Sequence, residues 1–331
     1  MADRCAAVTG ATGFLGRSIV NALTTAGWRV RILARQASAA AQFGDQAIET
    51  VVGDLSNRRA LRELVDGAEV VVHAAGLIKA NGLAAFRAVN VEGTANLVSA
   101  VNDCRSIEHF LNVSSMAARE PQLSAYAATK REGEEVVSTR LSKMPRAWTI
   151  VRPCAVYGPS DRETLAIFRA ASHLIFPLPG PRKGRLALIH AADAASAIVS
   201  LCGHGPAGRV FELTDERIEG YAWPEIIAAL ETSLGKKVLA LPLPALVVRA
   251  AAAANTLAAK IGGQTPVFTT GKAREILHPN WGSSVDRLPP PRVWQPKITL
   301  NDGFRDTVSW YRAQGWLAAG PAKPLITGAA R

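Results

Sequence analysis

The sequence predicts an α/β fold, a doubly wound parallel sheet of Rossmann type with a smaller C-terminal substrate-binding domain. Three observations lead to this prediction. Short β-rich runs alternate with helical patterns through the first half of the chain, as in a parallel sheet covered by helices. Three glycines follow the first apolar run at every third position of AVTGATGFLGRS, residues 7–18. After Pro153 the composition changes, and Pro/Gly-rich loops appear at 176–184 and 288–296.

The predicted strands are short runs of aliphatic residues between turn signals. They lie at 5–9, 28–34, 48–52, 69–74, 107–113 and 147–152, and helical patterns separate most of them, at 14–26, 56–66, 83–103 and 124–142. The segment RLALIH (185–190) and the helix after it are predicted to rejoin the sheet. A final helix is predicted from the N-cap residue Thr299, with Asp302 in its first turn, to the stop signal at Gly315.

Composition excludes several classes of protein. The formal net charge of +11 comes from 38 Lys and Arg against 27 Asp and Glu, but the cations are scattered, without charge blocks or interleaved aromatics. We therefore predict no nucleic-acid binding. Four widely spaced cysteines and six dispersed histidines predict no metal site and a reducing compartment. Since the first strand begins near residue 5, we expect no cleaved signal and a cytoplasmic location.

The glycine-rich stretch lies where the first strand turns into the first helix, which is the context of a dinucleotide-binding loop. There Gly10 allows a tight turn, Gly13 lets the backbone approach a pyrophosphate, and Gly16 lets the helix pack closely on the strand. The free N–H groups at the start of the helix would then face the phosphates.

The end of the second strand predicts which dinucleotide is bound. An acidic residue there binds the ribose 2′-hydroxyl of NAD, whereas an arginine accepts the 2′-phosphate of NADP. The sequence reads VRILARQAS, with Arg35 and no acidic residue before Asp45. This favours NADP(H) over NAD(H); the alternative is that Arg35 is only a solvated surface cation.

The domain prediction follows from these elements. The NADP(H)-binding Rossmann domain is assigned to 1–152 and 184–213, and the substrate domain to 153–183 and 214–317. The Pro/Ala/Gly-rich tail at 318–331 is predicted to be disordered.

A tyrosine and a lysine suggest the chemistry. SAYAATKREGEE places Tyr126 four residues before Lys130 on a predicted helix, so that both side chains emerge on one face. A neighbouring ammonium is expected to lower the phenol pKa from about 10 and make Tyr126 a general acid/base. Upstream, HFLNVSSMAA ends a predicted strand and places Ser114 and Ser115 at the carboxyl edge of the sheet. A hydroxyl there could hydrogen-bond a substrate carbonyl or simply cap the strand end.

With these motifs in order, the chain resembles the extended short-chain dehydrogenases/reductases of the NAD(P)-dependent epimerase/dehydratase type, over roughly residues 5–317. The matching segments are TGATGFLG (9–16), GDL (53–55), VVHAAG (71–76), AVNVEGT (88–94), NVSS (112–115), YAATK (126–130) and RPCAVYGP (152–159). The resemblance implies that Ser115, Tyr126 and Lys130 are catalytic, that Lys130 also holds the nicotinamide ribose, and that Asn90 orders a water or the local backbone. The cofactor-binding residues that it implies, together with Arg35 and Lys130, are Gly10, Thr12, Gly13, Phe14, Leu15, Gly16, Asp54, Leu55, Ala74, Ala75, Gly76, Pro153, Cys154, Ala155 and Val156.

Two features narrow the resemblance within the family. Tyr126 follows Ser115 by only eleven positions, shorter than the insertion usual in sugar-nucleotide epimerases. The segment 265–281 after an apolar helix resembles members that act on lipid-like substrates, such as 3β-hydroxysteroid dehydrogenase-like proteins and bacterial ceramide (3-oxo-sphingolipid) reductases. We therefore expect NADPH-dependent reduction of a ketone on a hydrophobic substrate to a secondary alcohol.

Two other functions remain open on the sequence. A nucleotide-sugar epimerase or dehydratase would retain NAD and need a basic cleft, for which the candidates are Arg152, Arg162, Arg182, Lys183 and Arg185. A non-catalytic cofactor-binding subunit would have little need of the Ser, Tyr and Lys trio.

The stretch 238–261 carries only Arg249 and Lys260 as charges, and Pro242 and Pro244 interrupt it, so that it is a poor membrane span. From Pro244 onward a helix would place one set of apolar residues on a single face: Leu246, Ala250, Ala253, Leu257 and Ile261. This helix either lines the substrate pocket or makes a peripheral membrane contact.

Overall fold

The computed structural model describes residues 4–44, 46–142, 147–173, 175–181, 183–204, 206–262, 266 and 268–318, without the side chains of His204 and Lys260. The predicted disorder of 318–331 therefore falls, from residue 319 onward, outside the described residues. So do Asp45 and Arg182.

The helices and strands alternate in the first half of the chain as predicted. The strands are β1 Cys5–Thr9, β2 Arg29–Ala34, β3 Ile48–Val52, β4 Val70–His73, β5 His109–Val113, β6 Ala147–Pro153, β7 Ala155–Tyr157, β8 Ile175–Pro179, β9 Arg185–Leu186, β10 Leu188–His190, β11 Arg209–Leu213, β12 Tyr221–Ala222, β13 Leu239–Leu243 and β14 Asn280–Trp281. The helices are α1 Phe14–Thr25, α2 Arg58–Val65, α3 Leu83–Arg87, α4 Thr94–Asp103, α5 Ala125–Leu141, α6 Leu165–Ala171, α7 Ala191–His204, α8 Trp223–Leu234, α9 Ala245–Ile261, α10 Thr270–Leu277 and α11 Leu300–Ala313. Short 3₁₀ helices lie at Ala37–Phe43, Met116–Arg119 and Val285–Arg287, and a π-helical turn at Ala88–Gly93.

Within the described ranges, seven parallel strands form the large sheet, in the order β11-β6-β5-β4-β1-β2-β3. The order reverses between β1 and β4, and ligands of such sheets bind at this switch point, beyond the carboxyl ends of the strands. Apolar side chains from the two faces of the sheet form two separate core clusters, which include Val8, Ile32 and Val72 on one side and Ala7, Val71 and Phe110 on the other. The predicted doubly wound α/β fold is confirmed.

One sheet prediction is wrong. The segment 185–190 does not join the large sheet: β9 pairs with β12 and β14, and β10 pairs with β7. The edge position next to β6 is taken by β11, whose Leu213 carbonyl accepts the N–H of Cys154 at 3.0 Å. The helix after this segment, α7, does rejoin the sheet, where it packs against β5 and β6 and beside α1. The strands of 185–190 instead connect the large sheet to the substrate side of the molecule.

The predicted helix at 83–103 is continuous but changes form in its middle. The turn at Ala88–Gly93 is π-helical, between α3 and α4. Helix α5 packs closely there, since a Cβ at Gly133 would lie 2.6 Å from the Asn90 carbonyl oxygen. In this wider turn the Asn90 side chain faces the loop after β4. Single π-helical turns of this kind are frequent at functional sites.

The remainder forms a smaller apolar cluster of its own around Tyr157, Phe168, Leu230, Phe304 and Tyr311. The last helix begins as predicted, with the Thr299 hydroxyl accepting the N–H of Asp302, and Gly315 follows it with φ +69°. No described helix has the length and apolar character that crossing a membrane requires.

Candidate active site

The glycine loop between β1 and α1 has the close backbone contacts that the sequence predicts. Gly10 has φ +72°, and a Cβ there would lie 2.5 Å from the Ala75 nitrogen. A Cβ at Gly16 would lie 1.9 Å from the Gly10 carbonyl oxygen, so that no side chain fits at either position. Gly13 is the N-cap residue of α1 and offers no side-chain cap to its first N–H groups. These donors are the ones that a pyrophosphate would accept.

Tyr126 and Ser115 meet at the carboxyl edge of the sheet. Ser115 follows β5, where its Oγ accepts the Ala117 N–H at 3.2 Å, and Tyr126 lies in the first turn of α5. The Ser115 hydroxyl also interacts with the Tyr126 phenol. On its other side the phenol ring packs against Phe86 of α3, with ring centroids 6.3 Å apart. The serine thus caps the turn after β5, as one of the two alternatives predicted, and also approaches the phenol; its hydrogen bond to a substrate carbonyl stays a prediction.

The predicted effect of Lys130 on the acidity of Tyr126 is wrong in this structure. Desolvation is the largest effect and raises the pKa of Tyr126 to about 12, while Ser115 lowers it and the charge of Glu275 raises it further. Lys130 donates to the Val113 carbonyl at 2.7 Å, and its own burial lowers its pKa to about 8. The phenol is therefore a protonated donor at neutral pH.

Asn90 orders the backbone after β4. Its Oδ1 accepts the N–H of Leu77 at 2.7 Å, and its Nδ2 donates to the Leu77 carbonyl and to Thr129 Oγ1, both at 3.1 Å. A Cβ at Gly76 would lie 3.2 Å from Asn90 Oδ1 and 3.6 Å from the Lys130 ammonium. The side chain therefore holds the loop beside Lys130, which agrees with the backbone role that the resemblance implies.

Sequence reasoning missed a buried ion pair behind Ser115. Arg152 Nε and Nη2 donate to the two carboxylate oxygens of Glu134, at 2.8 and 2.6 Å, and the Ser114 hydroxyl donates to the same carboxylate at 2.5 Å. Glu134 lies one helical turn after Lys130, and its charge opposes the loss of the Lys130 proton. The only available signal was the position of Glu134 on the face shared by Tyr126 and Lys130.

A cavity of about 1370 Å³ extends from the glycine loop past Tyr126 to the substrate side. It brings together most of the predicted site: Gly10, Gly13, Phe14, Leu15, Gly16, Ala74, Gly76, Ser115, Tyr126, Lys130, Pro153, Cys154, Ala155 and Val156. Of the predicted residues that the structure describes, Thr12, Arg35, Asp54, Leu55, Ala75 and Asn90 are not in its wall. A dinucleotide fits the residues present, because the bare helix start, the two crowded glycines and Lys130 lie along one continuous wall.

The residues predicted to bind the adenosine end lie at the carboxyl ends of β2 and β3. Arg35 and Asp54 are both exposed, and the charge of Arg35 contributes to lowering the pKa of Asp54, after the hydrogen bonds from Ser56. Leu55 is buried against Gly93, and Ala75 donates its N–H to Thr9 Oγ1 at 3.3 Å. Their roles toward a cofactor stay predictions.

The far half of the cavity is lined mainly by apolar side chains, including Ile167 of α6, Phe176 and Pro177 of β8, and Trp223 of α8. Helix α9 contributes Thr256 and Ala259 to its wall. Such a lining suits an extended hydrophobic ligand.

The cations expected to form a basic cleft are largely engaged by the protein. Arg152 pairs with Glu134, the Arg162 guanidinium lies 5.2 Å from the Trp316 ring centroid, and Arg185 Nη1 donates to the Gly220 carbonyl. Arg182 lies outside the described residues, and Lys183 follows it in the sequence. Arg185 alone of the described candidates lines the cavity.

Comparison with known proteins agrees with this geometry. Residues 6–214 match the model of the NAD dependent epimerase/dehydratase family. The chain is 43% identical to a ceramide reductase of Caulobacter vibrioides over 94% of this chain and 95% of that protein. It is 29% identical to a 4-hydroxy-2-methyl-3-oxo-4-farnesyl-3,4-dihydroquinoline-1-oxide ketoreductase of Stigmatella aurantiaca, over 63% of this chain and 67% of the relative.

Among solved structures, a dTDP-glucose 4,6-dehydratase of Bacillus anthracis in complex with NAD superposes with a TM-score of 0.67 at 17% identity, over 94% of this chain and 97% of that one. This likeness concerns the fold. The cavity also brings together the two crowded glycines and the Ser, Tyr and Lys trio, which agrees with the family match. The chain belongs to the NAD dependent epimerase/dehydratase family and is an NAD(P)-dependent oxidoreductase of the extended short-chain dehydrogenase/reductase type.

Proposed function

We propose that the protein reduces a ketone on a lipid-like substrate, of the 3-oxo-sphingolipid or ceramide class, to a secondary alcohol with NADPH. The observation that carries the proposal is the position of the protonated Tyr126 phenol, next to Ser115, where the glycine loop's cavity continues into an apolar pocket. The 43% identity to a ceramide reductase over nearly the whole chain supports the substrate class.

The residues divide the work of the reduction. The cofactor, when bound along the glycine loop, would supply the hydride that the carbonyl carbon accepts. The Ser115 hydroxyl donates a hydrogen bond to the carbonyl oxygen, and Tyr126 transfers its proton to that oxygen as negative charge develops there. Lys130, held by the Val113 carbonyl, is placed to bind the nicotinamide ribose, and Asn90 keeps the neighbouring backbone in position.

A direct assay tests the proposal. The purified protein is mixed with NADPH and a 3-oxo-ceramide, and loss of NADPH absorbance is compared with the alcohol formed, measured by mass spectrometry. We expect one alcohol for each NADPH consumed. Conversion of a nucleotide sugar without net cofactor consumption would instead support the epimerase or dehydratase alternative.

The preference for NADPH is assigned to Arg35, which lies exposed directly after β2. A hydrogen bond to a charged group contributes about 1.5–3 kcal/mol, so Arg35→Ala is expected to raise the KM for NADPH roughly tenfold or more. The KM for NADH should hardly change. Steady-state kinetics with both cofactors measure the effect.

Arg305→Ala is the matched control, because Arg305 is an exposed arginine on α11. It should leave both constants unchanged. An Arg35→Ala variant whose KM rises more for NADH than for NADPH would contradict the assignment.

We also infer a peripheral membrane contact through α9 and β13. Only the face of α9 with Val248 and Ala252 is buried, against Ala273 of α10. The apolar face predicted from the sequence is exposed, and the exposed fractions of Leu246 and Leu257 are 77% and 61%. Leu239 and Leu241 of β13 are exposed as well. An exposed apolar surface next to the substrate cavity fits a lipid interface, and the exposed Arg249 on α9 could contact anionic headgroups.

Flotation with anionic phosphatidylglycerol vesicles tests this contact. The double variant Leu246→Glu/Leu257→Glu is expected to lose most of the vesicle-bound fraction, because it places two charges on the apolar face. Val285→Glu, at another exposed apolar residue, should bind like the unchanged protein. Equal flotation of the double variant and the control would rule out the contact.

A further inference from the structure

Helix α10 lies across the start of the catalytic helix α5. A Cβ at Gly271 would lie 2.8 Å from the Ser124 Cβ, so the two segments are in backbone-close contact. One turn later, Arg274 Nε donates to the Leu123 carbonyl at 2.7 Å. Helix α10, which also lines the substrate cavity, therefore holds the residues just before Tyr126 in place.

The centre of this contact is the carboxylate of Glu275, which is only 7% exposed. Its Oε1 accepts the Ser124 hydroxyl, and its Oε2 lies 3.2 Å from the Lys272 ammonium. The indole N–H of Trp281 donates to the Glu275 backbone carbonyl at 2.8 Å, which holds this end of α10 in place. No step of the proposed reduction uses this carboxylate.

Ser124 transmits the contact to the catalytic helix because it is the N-cap residue of α5. While its hydroxyl donates to Glu275, its Oγ accepts the N–H of Ala127 at 2.9 Å. Tyr126 lies between Ser124 and Ala127, in the first turn of α5. A change at Glu275 therefore reaches the phenol through a single serine side chain.

We propose that Glu275 is a positioning residue for Tyr126, which it serves by holding Ser124 and with it the first turn of the catalytic helix against the wall of the substrate cavity. The proposal deepens the ketone reduction proposed above and rests on it for its kinetic readout. Ser115 and Lys130 belong to the N-terminal half of the chain, whereas Glu275 belongs to the C-terminal half. The position of the Tyr126 phenol is therefore fixed from both sides of the cavity.

The charge of Glu275 has a second consequence. It raises the pKa of Tyr126, in addition to the larger effect of desolvation. The groups that face this region are Ser115 from the end of β5, the neutral ring of Phe86 from α3, Lys130 on α5 itself, and Lys272 beside Glu275 on α10. From the loop before α5, Glu120 lies 3.9 Å from His278. The carboxylate thus adds to the effect of desolvation in disfavouring the phenolate, the form that oxidation of the alcohol needs.

The test separates the charge of Glu275 from its hydrogen bond. In Glu275→Gln the amide oxygen still accepts the Ser124 hydroxyl, but the charge is gone. Alcohol oxidation needs the phenolate, whose fraction rises as the tyrosine pKa falls. At pH 8 with NADP⁺ we expect oxidation to become faster, with reduction largely retained, because loss of the charge lowers the tyrosine pKa and raises the phenolate fraction. Glu275→Ala, which loses the hydrogen bond too, should lower kcat for reduction about tenfold without changing the KM for NADPH.

Glu231→Gln is the matched control. Like Glu275 with Lys272, Glu231 of α8 pairs with a neighbouring lysine, Lys237, and its carboxylate accepts one further hydrogen bond, from the N–H of Val238. It should leave the pH dependence unchanged. An oxidation profile of Glu275→Gln that coincides with the unchanged protein, or an equal shift in Glu231→Gln, would overturn the effect of the charge. A kcat for reduction in Glu275→Ala that equals that of the unchanged protein would overturn the positioning role.

A measurement without substrate keeps this test independent of the proposed function. The chain has four tyrosines, so ¹³C NMR of protein labelled at the tyrosine Cζ resolves few signals, and Tyr126→Phe identifies the one from Tyr126. The signal should begin to titrate at lower pH in Glu275→Gln than in the unchanged protein. A protein that shows this shift but reduces no ketone would overturn the proposed reduction and still support the role of Glu275.

Discussion

Tyr126→Phe is expected to lower kcat for ketone reduction by about 10²–10⁴-fold, the usual contribution of a positioned general acid. The phenylalanine keeps the ring contact with Phe86 but has no proton to deliver to the carbonyl oxygen. Binding of NADPH, measured by fluorescence titration, should be nearly unchanged, because the loss affects proton transfer and leaves the glycine loop intact. The measurement is kcat and KM for NADPH and the ketone in the purified protein.

Tyr157→Phe is the control for removing a phenol hydroxyl. Tyr157 is buried against His190 and Phe304, with ring centroids 5.5 and 5.0 Å away, and belongs to the core cluster of the smaller part of the chain. Its variant should keep most of the activity. If Tyr126→Phe keeps more than about a tenth of kcat, the tyrosine is not the proton donor and the proposed mechanism is wrong.

Glu134→Ala should be the most destabilising of the substitutions considered, with a loss of about 3–5 kcal/mol in the free energy of unfolding. The substitution leaves the Arg152 guanidinium, whose side chain is 14% exposed, without its carboxylate, and leaves the Ser114 hydroxyl without its acceptor. Chemical denaturation followed by circular dichroism measures the change. Because Glu134 also favours the charged form of Lys130, its loss should lower the Lys130 pKa further below about 8.

The same helix supplies the control. Glu132 pairs with Arg87 at 2.8 Å on the surface, where water screens the charges, so Glu132→Ala should hardly change the stability. The double variant Glu134→Met/Arg152→Met removes both charges together and should recover much of the loss. Equal stabilities of Glu134→Ala and Glu132→Ala would show that the buried pair is not the cause.

Local sequence signals predicted the elements that make up the dinucleotide half. The runs that became β1 to β6 were each placed to within about two residues. In β1 and β4 the run is almost wholly apolar because these strands are buried on both faces. The positions of Gly10 and Gly16 were predicted equally well, since only glycine fits where a Cβ would contact backbone atoms. Tyr126 and Lys130 line the same cavity because residues four positions apart on a helix lie on one face.

Contacts between segments distant in the sequence could not be predicted from local patterns. The segment 185–190 has a strand-like composition, but the position beside β6 went to 209–213, since strand pairing depends on which segment the connecting helix returns to the edge. The apolar face of α9 was predicted correctly as a face, whereas its exposure depends on the other elements: α10 covers only the side with Val248 and Ala252.

By itself, the sequence determined most strands and helices of the doubly wound fold, the glycine loop and the shared helix face of Tyr126 and Lys130, because each depends on backbone geometry within a few residues. Only the tertiary structure decided the acidity of those residues. Desolvation and the Glu275 charge raise the pKa of Tyr126, and burial lowers that of Lys130, against the expectation from their spacing alone. The physical reason is that a proton affinity sums the desolvation and the charges around a group, and those come from segments as distant in the sequence as α3, β5 and α10.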